Sequence, residues 1–193
     1  DDETYPYSSS AIVRFDGSEW KPEAQEFCGN GTPIGDIAGS SPNDVYYSDC
    51  DGCVTRCVES EPIARRCLAR FDERTWIGLS VASPRVSFLF DGYEISRCDG
   101  QTCTNWWLGL GAVRAVFSLS ERDVMAVGGK GGIYRFNGDA WTPMTSGTTR
   151  SLTDIWASST SDAFAVGEAG TICHYDGVSW RVVPAVTDQN LNA

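Results

Sequence analysis

The sequence lacks basic character, long apolar runs and helical periodicity. Its 193 residues carry 15 Lys and Arg against 26 Asp and Glu, so the formal net charge is −11. No basic cluster is longer than Arg65-Arg66, which disfavours binding to nucleic acid or to an anionic membrane surface. No run of about eighteen apolar residues is present to span a bilayer. The hydrophobic fraction of 41% is nevertheless too high for a disordered chain, and one folded domain is expected.

The sequence also lacks the signatures of several cofactor classes. It contains no Cys-x2-Cys-His for covalent haem and no Asp-x-Asp-x-Asp-Gly calcium loop with a distant Glu. Cys50 and Cys53 form the one short cysteine pair of the zinc-binding type, whereas structural zinc sites generally use two such pairs. We therefore expect no cofactor. Calcium stays open as an ion, because Asp49 and Asp51 supply oxygen ligands.

What the chain does contain is an internal repeat. Residues 113–117 align without a gap over 152–156, at a separation of 39, and the match continues until Trp141 falls on Trp180. A more diverged copy begins at 34–37, at a separation of 118. One position that is always aromatic or Cys recurs through the chain: Phe15, Cys57, Cys98, Phe136 and Tyr175. The steps between these residues are 42, 41, 38 and 39.

Each repeat contains four short β-type runs, and Asp-Gly or Asn-Gly between the last two predicts a hairpin. Four strands in about 40 residues fit the blade of a β-propeller, because so small a sheet must stack on its neighbours to bury its faces. We expect an all-β fold with a half blade at 8–32, blades at 33–74, 75–111, 112–150 and 151–189, and a stub at 190–193. Trp76 is expected to open the inner strand of its blade rather than a hairpin.

This register predicts a partial ring of about four full blades plus half blades. Another ~50 to 100 residues would complete a propeller of six or seven blades. A second chain is one source of those residues.

Segment 152–180 carries a family resemblance in the motifs Asp-Ile-Trp-Ala-Ser-Ser, Asp-Ala-Phe-Ala-Val-Gly and Gly-Thr-Ile-Cys-His-Tyr-Asp-Gly. These motifs resemble the repeats of large secreted or lipoprotein β-propellers found in myxobacteria and their relatives. The resemblance covers nearly all of the chain. It implies an exported repeat protein and carries over no activity and no site residues.

Eight cysteines in so short a chain suit an oxidising compartment. We therefore expect a secreted, periplasmic or surface-attached protein with disulfides. Cys98 and Cys103 occupy the two hairpin positions that hold an aromatic pair in other repeats. A disulfide is expected to replace that cross-strand pair.

The remaining cysteines give a less defined pattern. Cys57 also occupies the recurring position, and Cys67 follows it after a longer loop, so these two are expected to pair. Cys50 and Cys53 lie in a turn, where they either pair with each other or reach Cys28 or a neighbouring loop. Eight cysteines allow many connectivities, and the map stays open.

His174 is the only histidine of the chain. It falls at a position where the other repeats carry arginine: Arg14, Arg56, Arg97 and Arg135. A basic residue in every blade is expected to be structural and to pair with repeated aspartates: Asp36, Asp44, Asp123, Asp154 and Asp162. A Ser-His-Asp hydrolase that uses His174 as its base is an alternative from another class of protein.

For function, we expect an extracytoplasmic binding or structural module that recognises a protein or glycan at the cell surface through loops on one face. The expected contact is segment 59–66, which the regular blades lack. A carbohydrate-binding lectin is the first alternative, with Trp106 and Trp107 as a stacking platform. Trp141 and Trp180 recur with the repeat and are expected to pack between blades. An exported hydrolase is the second alternative, and no catalytic residue is assigned.

Overall fold

A computed structural model describes residues 12–15, 18–24, 35–41, 44–48, 54–57, 78–99 and 101–192. These residues form 17 β-strands and two 3-10 turns, with no α-helix among them. The strands belong to five antiparallel sheets, which we number in chain order as blades 1 to 5. The all-β fold that the repeat predicted is confirmed.

Blade 1 is a hairpin, blade 2 has three described strands, and blades 3 to 5 have four strands each. Blades 1 and 2 contain β1 (Ile12–Phe15), β2 (Trp20–Ala24), β3 (Asp36–Ser41), β4 (Asp44–Ser48) and β5 (Val54–Cys57). Blade 3 contains β6 (Gly78–Val81), β7 (Ser87–Phe90), β8 (Glu94–Cys98) and β9 (Cys103–Trp107). Blade 4 contains β10 (Val113–Ser120), β11 (Asp123–Gly128), β12 (Ile133–Phe136) and β13 (Trp141–Met144). Blade 5 contains β14 (Leu152–Ser159), β15 (Asp162–Gly167), β16 (Ile172–Tyr175) and β17 (Trp180–Val183).

The first strands of successive blades contact one another, from β3 through β6 and β10 to β14, and so form the inner layer. Since the strands of each blade are antiparallel, the turns alternate between two faces of the molecule. We name one of them the hairpin face, with the turns at 82–86, 121–122, 160–161, 137–140 and 176–179 and the turn between β8 and β9. The other is the connection face, with the turns at 91–93, 129–132 and 168–171 and the blade-to-blade connections at 108–112 and 145–151.

Blades 4 and 5 repeat each other strand for strand at a displacement of 39 residues. Their last hairpins pair Phe136 with Trp141 and Tyr175 with Trp180. In blade 3 the same register brings Cys98 opposite Cys103, and the two form a disulfide with Cα atoms 4.2 Å apart. The prediction that a disulfide replaces an aromatic pair at this position is confirmed.

The interfaces between blades are apolar. Phe88 of blade 3 is fully buried against Phe136 and Trp141 of blade 4, with ring centroids 5.7 and 6.3 Å apart. Met125 of blade 4 and Trp180 of blade 5 belong to one cluster that fills the next interface. Trp141 and Trp180 therefore pack between blades, as their recurrence predicted. Each blade is stabilised by its neighbours, because a four-stranded sheet alone leaves both faces in water.

On the hairpin face, an arginine links blades 4 and 5. The Arg135 guanidinium donates two hydrogen bonds to the Asp123 carboxylate, at 2.7 and 2.8 Å. It also donates to the Thr160 carbonyl at 3.0 Å and to the Tyr175 hydroxyl at 3.3 Å. This bidentate geometry confirms the predicted pairing of the repeated basic residue with Asp123, and the two contacts to blade 5 extend it across the interface.

The predicted pairing with Asp36 is wrong. Asp36 lies at the start of the inner strand β3, and its carboxylate accepts the N–H groups of Ile37 at 2.8 Å and Leu79 at 2.7 Å. Asp154 occupies the corresponding place on β14. In blade 3, Val86 stands at the position of Asp123, and Arg97 lies instead 3.6 Å from Glu121 of blade 4. The pairing of Asp44 rests on a side chain outside the described ones.

Two last hairpins are closed by aspartates that bind their own turn. Asp99 accepts the N–H groups of Thr102 and Gln101, and Asp176 accepts those of Ser179 and Val178. These backbone hydrogen bonds hold the pKa of both carboxyl groups below the usual 3.8, because they favour the ionised form. The turns are therefore locked by charge-assisted bonds from the carboxylate to the backbone.

We expect the Asp99 and Asp176 carboxyl signals to titrate below the usual pH in a carboxyl-detected NMR experiment. Because the folded pKa is lower than the unfolded one, the contribution to stability is complete above about pH 4 and is lost as the pH falls through the folded pKa. The comparison is the aspartate of an unstructured peptide, which has the usual pKa of 3.8. Titration of Asp99 or Asp176 at or above that value would contradict this assignment.

Candidate binding cleft

The starts of the inner strands of blades 2 to 5 together line a cleft of about 520 Å³ that opens on the connection face. The strand residues in its walls are Asp36 and, from the other blades, 78–79, 114–117 and 153–156. Since four blades each contribute the start of their first strand, the cleft exists only when these blades are stacked. Composite sites of this kind are typical of repeat proteins.

A second cavity of about 410 Å³ adjoins the cleft and shares Arg114, Thr153 and Asn192 with it. Its other walls are the turn at 91–93 and the start of β10. The two cavities therefore adjoin on the connection face, and we refer to them together as the groove.

The groove carries opposite charges. Arg114 is exposed in both cavities and, within the residues that the structure describes, it forms no ion pair. Asp154 lines the same cleft and likewise has no hydrogen-bonding partner in that part of the chain. Asp36 differs, since its carboxylate is already bound to two backbone N–H groups. The groove thus offers one available guanidinium and one available carboxylate to a ligand.

Large apolar side chains stand at the edge of these charges. Tyr93, in the turn at 91–93, is 69% exposed, and Trp156, on β14, is 54% exposed. Tyr93 lines the smaller cavity and Trp156 the larger one. Exposed aromatic side chains next to charged groups are typical of binding surfaces.

Asn192 lines the groove at the end of the segment 187–192, which is hydrogen-bonded to blade 5. The Gly170 N–H donates to the Gln189 carbonyl at 2.6 Å, and the Leu191 N–H donates to the Gly167 carbonyl at 3.0 Å. The Thr153 hydroxyl donates to the Leu191 carbonyl at 2.6 Å. These bonds place Asn192 in both cavities.

The two tryptophans predicted as a ligand platform lie elsewhere. Both are on β9, the outer strand of blade 3, whereas the groove is lined by inner strands. Trp106 is half-buried, and its ring centroid is 5.3 Å from that of Phe136 in blade 4, so it serves as a packing residue. Trp107 is 79% exposed. Because neighbouring residues of a strand point to opposite faces, the predicted platform is reduced to Trp107 alone.

His174 does not have the arrangement of a catalytic base. Its Nε2 lies 2.7 Å from Oδ1 of Asp162, and the Ser158 hydroxyl donates to Oδ2 of the same carboxylate at 2.5 Å. These bonds, first that of Ser158 and then that of His174, lower the pKa of Asp162. A Ser-His-Asp triad needs histidine between serine and aspartate, and here aspartate lies between the other two. The arrangement instead confirms the predicted structural pairing of His174 with Asp162.

Several sequence predictions fall on residues outside the described ones. These are the pairings of Cys50, Cys53 and Cys67, the calcium ligands Asp49 and Asp51, the inner-strand start at Trp76 and the contact segment 59–66. In the part of the chain that is described, no three His, Cys, Asp or Glu side chains are grouped as metal ligands. The helical turns of that same part are too short to cross a membrane.

Sequence reasoning missed Arg114 and Tyr93. It assigned Asp154 to a pairing with a repeated basic residue, and no such pairing is formed among the described residues. The signal for Arg114 is a local departure from the repeat, since position 114 is Arg where the next repeat has Thr153. When the residue type at one strand position differs between two otherwise matching repeats, packing between blades does not determine the residue type at that position. The convergence of these residues on one groove depends on how the blades stack, which the alignment does not contain.

No family model and no curated protein matches the sequence. In structure, the chain is similar to virginiamycin B lyase from Staphylococcus aureus, with a TM-score of 0.72 and 12% identity over 94% of this chain and 65% of that one. It is also similar to YCF48 bound to D1 peptide, with a TM-score of 0.63 and 11% identity over 91% and 62%. The WD40 repeats of RRP9 give a TM-score of 0.66 and 10% identity over 82% of this chain and 53% of that one.

This chain thus spans between 53% and 65% of the length of these structures. These structures are β-propellers, and the likeness shows that the chain has the β-propeller fold.

Proposed function

We propose that this chain is a protein-binding β-propeller module that holds an extended peptide segment of its partner in the groove on the connection face. The observation that carries the proposal is the pair of adjoining 520 and 410 Å³ cavities, with Arg114 available where they meet. Two adjoining cavities can hold successive side chains of an extended peptide.

The chemistry of the groove supports a peptide. Arg114 can pair with a carboxylate, and Tyr93 can cover an apolar side chain. A peptide offers both kinds of group along one strand. A polyanion does not fit, because the chain has a net charge of −11 and this groove presents a single arginine. The similar fold of YCF48, which is bound to D1 peptide, also supports a peptide ligand.

We place this binding outside the cytoplasm. The support is the Cys98–Cys103 disulfide together with a total of eight cysteines, since disulfides persist in oxidising compartments. The partner is then a secreted or surface protein. Segment 59–66 stays a predicted second contact with that partner.

The test is selection from a phage-displayed library of random peptides, followed by fluorescence polarisation with the selected peptides. We expect Arg114→Glu to weaken binding about tenfold or more, because it replaces the cation of the groove by a like charge for an acidic ligand. Arg85→Glu is the matched control, since Arg85 is exposed on the hairpin face and undergoes the same change of charge. Selection of no peptide, or equal loss in both variants, would contradict the proposal.

The carbohydrate alternative is tested in parallel on a glycan array. It rests on Trp107, whose exposed ring lies on the outer strand of blade 3. Glycan binding that is lost in Trp107→Ala and kept in Arg114→Glu would replace the peptide proposal. Glycan binding that is lost in neither variant would place the sugar site elsewhere on the surface.

A further inference from the structure

Blade 5 has one face packed on blade 4 and a second face with exposed apolar side chains. Phe164 on this second face is 38% exposed, whereas Met125 at the corresponding position of blade 4 is fully buried against blade 5. Trp156 is 54% exposed, whereas the corresponding Phe117 packs against the same buried cluster. The positions that hold blades 4 and 5 together are therefore repeated on blade 5 in an uncovered form.

The polar contacts of the interface are repeated in the same way. Arg135 is bound to Asp123 on its own blade and reaches Tyr175 on the next one. His174 stands at the position of Arg135 and is bound to Asp162, at the position of Asp123. The histidine ring stacks on Phe164 at 4.4 Å between centroids, so the polar pair and the apolar surface form one continuous face.

The inner strand supplies a third repeated contact. Asp36 of blade 2 accepts the Leu79 N–H at the start of blade 3, at 2.7 Å. Asp154 occupies the same position in blade 5, where it lines the cleft and its carboxylate has no partner in the described chain. A carboxylate at this place is thus poised to accept the N–H of an inner strand that lies beside β14.

The path of the chain indicates where that strand begins. The Val113 N–H, at the start of β10, donates to the Gly92 carbonyl of blade 3 at 2.7 Å. The Leu191 N–H makes a similar bond to the Gly167 carbonyl, at the end of the second strand of blade 5, at 3.0 Å. Leu191 also lies 39 residues after Leu152, the first residue of β14. It therefore has the register of the first residue of a blade and, like Val113, donates to a carbonyl near the end of the second strand of the preceding blade.

We propose that the face of blade 5 formed by Trp156, Phe164, His174 and Asp154 binds a further blade of the same repeat, whose first strand begins at Leu191. The covering blade carries small side chains on its second strand, like Ala163 and Ala165, which are fully buried against blade 4. It carries an aromatic hydroxyl at the end of its third strand, like Tyr175, and a free N–H for Asp154 near the start of its first strand.

The test inserts a second copy of residues 151–189 after residue 189, in the 39-residue register. We expect the thermal midpoint of the whole chain to rise by about 5 °C or more, because the added blade buries Trp156 and Phe164 of the first copy. Hydrogen exchange is expected to show the added residues protected. A separate early transition of the added copy, or an unchanged midpoint, would overturn the proposal.

Two substitutions in the first copy, Phe164→Ser and Asp154→Asn, locate the contact. In the natural chain both side chains are partly exposed, and each change is expected to shift the midpoint little. In the extended chain each is expected to remove a measurable part of the gain. Val178→Ser, at an 87% exposed position, is the control and is expected to have no effect in either chain. Equal effects of Phe164→Ser and Asp154→Asn in both chains would refute docking at this face.

A second copy of the chain is the competing occupant. Sedimentation of the natural chain distinguishes it, because self-association through this face would give a dimer that Phe164→Glu dissociates. We expect a monomer at micromolar concentration, and such a dimer would overturn the assignment of the face to a further blade.

Discussion

Replacing Phe136 by alanine is expected to lower the free energy of unfolding by about 3–5 kcal/mol. The Phe136 side chain is 1% exposed and lies where blades 3 and 4 meet. Its ring is surrounded by those of Trp141, Trp106 and Phe88, with centroids 5.2, 5.3 and 5.7 Å away. Removing it leaves a cavity between two sheets, which cannot close without shifting a whole blade.

The measurement is chemical denaturation followed by far-ultraviolet circular dichroism. Tyr93→Ala is the control, because it removes a comparable ring from a 69% exposed position and is expected to change stability by less than about 1 kcal/mol. The Trp106 ring loses its contact with Phe136, so its fluorescence is expected to become more accessible to iodide. A loss below about 1 kcal/mol in Phe136→Ala would show that the interface is loosely packed.

The importance of this position is readable from the sequence. Phe136 recurs as Phe15, Cys57, Cys98 and Tyr175, and a side chain that returns every blade must face the same neighbour each time. The hairpin register then follows, since Asp-Gly and Asn-Gly fix the turn and the residue five places on becomes the partner. The Cys98–Cys103 disulfide was predictable for that reason alone.

Other contacts were not predictable because they depend on how one blade meets the next. The aligned aspartates looked equivalent, yet Asp123 binds the basic residue of its own blade while Asp36 binds the backbone of the following one. The alternation of Trp106 and Trp107 between two faces follows from strand geometry, but which face is covered does not. The groove around Arg114 was not predictable for the same reason, because residues of four blades line it.

Replacing Gly170 by alanine is expected to lower stability by roughly 3 kcal/mol and to loosen the segment 187–192. Gly170 has φ of +68°, a region that costs an alanine about 1–2 kcal/mol. An added Cβ would also overlap the Thr187 carbonyl oxygen, which is backbone and cannot rotate away. The preceding residue shows that conformation alone is tolerated, since Ala169 already has φ of +50° in this turn.

Gly109→Ala separates the two causes. Gly109 has φ of +66°, nearly the value of Gly170, and an added Cβ would meet no atom within 4 Å. The control is therefore expected to lose only the conformational part, about 1–2 kcal/mol, and the remaining difference measures the collision with Thr187. Because the Gly170 N–H holds the Gln189 carbonyl, hydrogen exchange at the Leu191 amide is expected to accelerate in Gly170→Ala and not in Gly109→Ala. Since Leu191 is followed by Asn192 in the groove, a loosened segment would also weaken peptide binding, whereas equal exchange in the two variants would show that the segment is held without this turn.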